Sequence, residues 1–185
     1  MKIFYIVGGV AVLLVAHGAI LHIMGQPFMY SGGYIKLWEG VVLSDGNSQH
    51  LSDWYTLSHV IHGILFYAVL SLLFPRLPVW ARLFMALAIE SGWELFENTD
   101  MIINRYREQA LAQGYFGDSI VNSLGDMFAA LIGFLFAWRF PIWCAILAVI
   151  VLEALALYFI RDSLTFNIIQ LIHPVPWIGE WQSAG

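Results

Sequence analysis

The chain has 185 residues, of which 60% are hydrophobic and 11% charged. Soluble domains carry about 25% charged residues, so an ordinary soluble enzyme or binding module is excluded and an integral membrane protein is implied. The net charge of -5 argues against a nucleic-acid partner, and the single cysteine, Cys144, excludes an intramolecular disulfide.

In chain order, residues 3–24 form a nearly unbroken apolar run after Lys2. It is longer than a signal-peptide core and is read as a retained first transmembrane helix, with His17 and His22 in its second half. Gly25 to Trp54 is a polar loop, long enough to fold as a cap over one membrane end. The second helix (55–74) carries His59 and His62. Pro75 to Pro78 is a tight turn. The third helix (79–98) begins near Trp80 and Arg82 and ends in Glu90, Glu94 and Glu97. A short surface helix is expected from Ile102 to Gln113. The fourth helix (118–138) carries Asp118, Asn122 and Asp126. Arg139 to Pro141 makes another turn, and the fifth helix (142–160) carries Glu153. Residues 163–185, with Pro174, Pro176, Trp177 and Trp181, are too short to span and read as an amphipathic interfacial tail. The expectation is a single all-α membrane domain of five transmembrane helices.

Orientation rests on the short connections. An N-terminus in the cytoplasm places Lys2, Arg76, Arg82 and Arg139 on that side without any acid, and puts nearly every loop carboxylate opposite. Lysine and arginine divide equally between the sides, so the short turns decide the assignment.

The intramembrane ionisable groups sort by depth. His17, His62, Glu90, Asp126 and Glu153 each lie seven or eight residues from the non-cytoplasmic boundary of their helix, roughly 10–12 Å along the axis. Glu90, Glu94 and Glu97 share a helical stripe, as do Asp118, Asn122 and Asp126. Such stripes are costly in lipid and need partners, water, a cation or a role. They are expected to converge on an outward-facing polar cleft.

Within it, Glu94, Asp118 and Asp126 are the candidate catalytic carboxylates. His59, Asn122, Arg105 and Arg107 are candidate substrate-binding residues, and His62, Glu90 and Glu97 candidate ligands for a divalent metal. The chemistry stays open between acid–base catalysis and metal binding. Asp118 and Asp126 are about 12 Å apart along one helix and form no close dyad by themselves. The structural alternatives are a cap role for Asp118 and Glu97, interhelical hydrogen bonding by His17 and His22, and a structural histidine pairing for Glu153. Serines in these helices are read as packing residues.

The span Lys36-Leu-Trp-Glu-Gly, Asn47-Ser-Gln-His50, Ser58-His59-x-x-His62-Gly63, Trp93-Glu94-x-x-Glu97-Asn98, Gly117-Asp118-Ser-x-x-Asn122-Ser-x-x-Asp126 and Glu180-Trp181-Gln182 resembles an uncharacterised family of small bacterial inner-membrane proteins. In that family the first loop often carries cysteines and a histidine after Leu-Trp. Here Met29, Ser31 and Glu39 stand in that region, so no loop disulfide or loop metal site is implied. More distantly, His62, Glu94-x-x-Glu97 and Asp118-x-x-x-Asn122-x-x-Gly125 resemble the VanZ-like membrane proteins, with Glu97 in place of a glutamine. That resemblance implies a role at the cell envelope, near a lipid-linked or cell-wall substrate. A non-catalytic partner subunit and a proton-coupled transporter are the alternatives.

Overall fold

The structure is a computed structural model and describes residues 2–184; the Lys2 charge used above for orientation lies outside the described side chains. Among the described residues it is all-helical, with one isolated parallel bridge between Glu39 and Asp53. The helices are α1 (Lys2–Ile23), α2 (Thr56–Leu73), α3 (Val79–Glu97), α4 (Asp100–Arg107), α5 (Ile120–Arg139), α6 (Ile142–Ile160), α7 (Leu164–Ile172) and α8 (Pro176–Ser183).

Four of them are long and apolar enough to cross a membrane: α1 from Phe4, α2, α5 and α6. The third expected span is a helix, α3, of 19 residues, but Arg82, Glu90, Glu94 and Glu97 remove it from the class apolar enough to cross a membrane. Its inward stripe explains why it is helical all the same. Leu83, Ala86, Leu87, Glu90, Ser91 and Glu94 are all buried, so its acids face the protein and not the surroundings.

Two helices begin with the same device. Pro78 and Pro141 sit in extended conformation immediately before α3 and α6, where proline's fixed φ and missing N–H cost the new helix nothing. The expected surface helix runs over Asp100–Arg107 and stops short of Gln113. The tail is two helices: Ser163 caps α7 by accepting from Phe166 N at 3.3 Å, and Pro176 opens α8 at its first turn.

α5 is central and α2 lies directly against it. The reason is a reciprocal glycine contact. A Cβ built on Gly63 of α2 would fall 1.9 Å from Ala130 O of α5, and one on Gly133 of α5 would fall 2.0 Å from Val60 O of α2. Small residues of this kind let two helix backbones touch. α1 packs beside α3, and α6 meets α2 and α5 through Ala145, Ile64 and Ala137. α6 leaves Ile142, Trp143, Ile146, Leu147 and Ile150 exposed, and α1 leaves Val7, Val12 and Val15 exposed.

The interior divides along the helix axes. Towards the two proline turns it is apolar: Leu70, Leu83, Ala86, Leu87 and Phe134 form one buried cluster, with Val10 and Leu13 packed against it. Towards the 25–55 loop it is polar, with His17, His59, Glu90, Glu94, Ser123 and Asp126 all buried.

That loop does fold as a cap. The first N–H groups of a helix have no partner within it, and here the loop supplies them: Ser119 N donates to Ser48 O (2.9 Å), Ile120 N to Pro27 O (2.9 Å) and Val121 N to Phe28 O (3.1 Å). Gly125 comes against the loop as well, its Cβ position only 2.0 Å from Leu51 O.

Candidate functional site

The start of α2, the end of α3 and the start of α5 place their polar stripes against one another. His59 is the hub. Its Nδ1 lies 2.6 Å from Glu90 Oε1 and 3.1 Å from Glu94 Oε1, and its Nε2 lies 3.9 Å from Asp126 Oδ2. One proton on Nδ1 serves one acceptor well, and the shorter contact assigns it to Glu90. His62, one turn further along α2, brings its Nδ1 to 3.1 Å from Glu90 Oε2. Glu90, Glu94 and Asp126 are 0%, 1% and 3% exposed, and among the described residues neither lysine nor arginine pairs with them; the two such pairs are Lys36–Glu39 and Arg105–Glu108.

A second layer fixes Glu94. Ser123 Oγ donates to Glu94 Oε2 at 2.6 Å, and His17 bridges Ser123 Oγ (2.8 Å) and Ser91 Oγ (3.0 Å). Ser123 spends its one proton on Glu94, so His17 Nε2 donates to Ser123 and Nδ1 accepts from Ser91. His17 is thus the interhelical hydrogen bonder the sequence suggested, tying α1 to α3 and α5. His22 is exposed.

Asp118 lies ahead of α5, and the side-chain cap of that helix is Ser119, which accepts from Asn122 N at 3.1 Å. Asp118 Oδ2 instead accepts from Asn98 Nδ2 (2.8 Å) and Tyr115 OH (3.0 Å), while its N–H donates to Asn98 Oδ1 (2.7 Å). Gly117, at φ +99°, makes this bend; a Cβ there would meet Gln26 at 2.5 Å and Asn98 at 2.8 Å. Burial raises the Asp118 carboxyl to about 6, against the pull of Asn98 and Tyr115, whose hydrogen bonds favour the charged form.

His59, Glu97, Asp118, Asn122 and Asp126 line one cavity of about 270 Å³, walled further by Tyr55, Tyr106 and Tyr115 and by the 42–48 segment of the first loop. Ser48 in that wall holds a left-handed φ of 60°. Its N–H donates to Asp53 Oδ2 at 2.9 Å, and burial pushes the Asp53 carboxyl above the usual carboxylate range. Asn122 also anchors the cap, its Nδ2 donating to His50 O at 2.8 Å.

The remaining expected site residues lie elsewhere. Glu97 lines the cavity but is not grouped with His62 and Glu90. Among the described residues, the sets that bring three ligand atoms within 4.8 Å of one another are His59–His62–Glu90 and His59–Glu94–Asp126. Arg105 reaches the last turn of α7, donating from Nε to Leu171 O (3.1 Å) and from Nη2 to Gln170 O (3.3 Å). Arg107 Nε donates to Tyr115 O at 2.5 Å. Glu153 does not pair with a histidine; its carboxylate accepts from Leu164 N (2.9 Å) and Thr165 N (3.2 Å) at the start of α7. Arg105 and His62 belong instead to a second, apolar groove of about 830 Å³, walled by Phe66, Trp93, Phe96 and Ile168 among others. Sequence periodicity had no means of finding Tyr55, Tyr106 and Tyr115, because none of them shares a stripe with the carboxylates.

A family model described as "Protein of unknown function (DUF2585)" matches residues 21–184. Among relatives, a UPF0314 protein of Rhizobium meliloti (strain 1021) is 52% identical over 165 residues, covering 89% of this chain and 84% of its own length. A UPF0314 protein of Rhizobium etli (strain CIAT 652) is 50% identical over 181 residues, covering 98% and 92%. No solved structure matches. The VanZ-like resemblance finds no support in these matches. A family model spanning nearly the whole chain, and relatives at half identity along their length, agree: the chain belongs to the DUF2585 family of unknown function.

Proposed function

We infer that this is a five-span protein of the bacterial inner membrane, N-terminus in the cytoplasm, whose carboxylate–histidine cavity binds or processes a lipid-linked or cell-envelope substrate on the outer side. The spans are α1, α2, α3, α5 and α6, forming one membrane domain with α7 and α8 as an interfacial tail. Support for α3 as a span comes from its burial: its acids are shielded by α1, α2 and α5, so the lipid-facing surface stays apolar. Trp80 stacks edge-on against Trp138 at one end of the bundle, and Trp38 against Trp54 at the other, as expected of two interfacial belts.

The observation that carries the reading is the placement of His59. It lines the polar cavity, while His62, bonded to the same Glu90, lines the apolar groove. One His–Glu–His wall therefore separates a chamber suited to a polar head group from a groove suited to an apolar chain. Asp126 in the chamber wall and Glu94, at the other nitrogen of His59, are the acid–base pair, Asp118 is an acid near neutrality, and Asn122 orients the substrate. Arg105 borders the groove, and Arg107 holds the backbone of Tyr115 in the chamber wall. A transporter would continue its polar path through the bundle; Leu70, Leu83, Leu87 and Phe134 fill that half instead.

The test is lipid analysis of the purified protein. Wild type in mild detergent should retain one lipid-derived species enriched over the bulk membrane. Asp126→Asn and Asn122→Ala should lose that species while still eluting as a monodisperse protein and melting cooperatively. Bound lipid that merely mirrors the membrane, in wild type and variants alike, would favour the non-catalytic scaffold instead.

A further inference from the structure

The centre of the cluster contains atoms that the protein itself leaves unsatisfied. Glu94 Oε1 and Asp126 Oδ1 are buried without a hydrogen-bond partner. His59 Nε2 faces Asp126 Oδ2 at 3.9 Å, too far for a hydrogen bond. An orphaned buried carboxylate oxygen costs about 1–3 kcal/mol or more, so two on neighbouring residues require an explanation. A proton shared between the two carboxylates would still leave a buried negative charge, whereas a divalent cation balances both.

The geometry points to a divalent cation held by His59 Nε2 and the carboxylates of Glu94 and Asp126. These three side chains are buried, with ligand atoms all within 4.8 Å of one another. A spacing of 3.9 Å between His59 Nε2 and Asp126 Oδ2 is about 0.5 Å wider than two donors of one tetrahedral ion at about 2.0–2.2 Å each, a gap that a small side-chain rotation closes. Glu90 supplies the rest of the arrangement. It takes the Nδ1 proton of His59 at 2.6 Å, which leaves Nε2 as the lone-pair donor, the carboxylate–histidine–metal relay common at metal centres. His62 in turn holds Glu90. The other three-residue set, His59–His62–Glu90, is already consumed by these hydrogen bonds, so it orients and does not ligate.

One nitrogen and two carboxylates suit zinc, manganese or ferrous iron, whereas calcium takes six to eight oxygens. The ion's two positive charges balance Glu94 and Asp126, which no lysine or arginine among the described residues does. His59 and Asp126 form part of the cavity wall, so the open coordination positions face the chamber, where water or a substrate oxygen completes the shell. The inference rests on the cluster being a working site; it replaces His62, Glu90 and Glu97 as ligands by His59, Glu94 and Asp126, and it moves Glu94 and Asp126 from acid–base work to ligation.

The experiment uses full-length protein extracted in detergent without chelator. Elemental analysis should find about one equivalent of zinc, manganese or iron per chain. Glu94→Gln and Asp126→Asn should each lose it at least about tenfold, Glu90→Gln should weaken affinity about tenfold to a hundredfold, and Glu153→Gln should retain it. After chelator stripping, added Zn²⁺, Mn²⁺ or Fe²⁺ should raise the melting temperature of wild type and not of Asp126→Asn. Wild type without stoichiometric metal, whose stripped form none of the three ions stabilises, overturns the cation. So does metal retained by a folded Glu94→Gln and Asp126→Asn pair. Lipid enrichment without metal sinks the cation alone, and metal without lipid enrichment sinks the proposed substrate class alone.

Discussion

Gly63 and Ala130 touch where a side chain would not fit: a Cβ on Gly63 would lie 1.9 Å from Ala130 O. Gly63 follows His62 in sequence and Ala130 stands one helical turn beyond Asp126, so this contact sets how closely the histidines approach the α5 carboxylate. Gly63→Ala must separate α2 from α5 or bend one of them. Overpacking of this kind costs about 1–3 kcal/mol or more, about 2–12 °C in melting temperature for a chain of this size. Gly133→Ala, facing Val60 O at 2.0 Å, should do the same. Gly92→Ala, where a Cβ meets nothing within 4 Å, should leave melting unchanged. Equal melting of all three variants in detergent would show that the helices do not meet at these glycines.

The sequence was most legible where the physics is local. Apolar runs marked the long helices because backbone groups in lipid must be satisfied within a helix. Counting residues from helix ends placed His17, His62, Glu90 and Asp126 in one half of the bundle, and that half is where the buried polar groups lie. What periodicity cannot do is choose partners across the chain. The Ser123–His17 bond joins residues 106 apart and the His59–Glu90 bond residues 31 apart; each depends on which faces meet, and glycines at positions 63 and 133 decide that. Glu153 shared the depth of the others yet points to the start of α7, because depth fixes height and not azimuth. Asp118 looked like a helix start, but Ser119 next to it offers the better cap, and Asn98 and Tyr115 claim the carboxylate.

Asp162 lies beyond the end of α6, almost fully buried, with Ser163 N donating to Oδ1 (2.9 Å) and Tyr55 OH to Oδ2 (3.3 Å). Burial outweighs both bonds and raises its carboxyl from 3.8 to about 6. The folded state therefore binds more protons than the unfolded state between these values. Its stability falls as pH rises through that window and is level above it. Two pH units correspond to about 3 kcal/mol at most. Asp162→Asn keeps the shape, removes the titration and loses part of the hydrogen bonding. It should melt higher than wild type at pH 8, by roughly 2–6 °C, and no higher at pH 4. A variant whose advantage does not change with pH would show that Asp162 is not the group responsible.

Ser91, His17 and Ser123 form a single relay ending on Glu94, so their contributions should not add. Ser123→Ala strands both His17 Nε2–H and Glu94 Oε2 in the interior, a loss of about 1–3 kcal/mol. Ser91→Ala alone removes only the donor to His17 Nδ1. Once Ser123 is gone, His17 is free to turn, and the Ser91 contact no longer depends on a fixed ring. The double variant should therefore be less destabilised than the sum of the singles, by about 0.5–1 kcal/mol, where independent sites add to within about 0.5 kcal/mol. Unfolding of the four proteins in mixed detergent at neutral pH measures this directly. Strict additivity would mean that His17 does not connect the two serines, and that α1 is held to α3 and α5 by apolar contact alone.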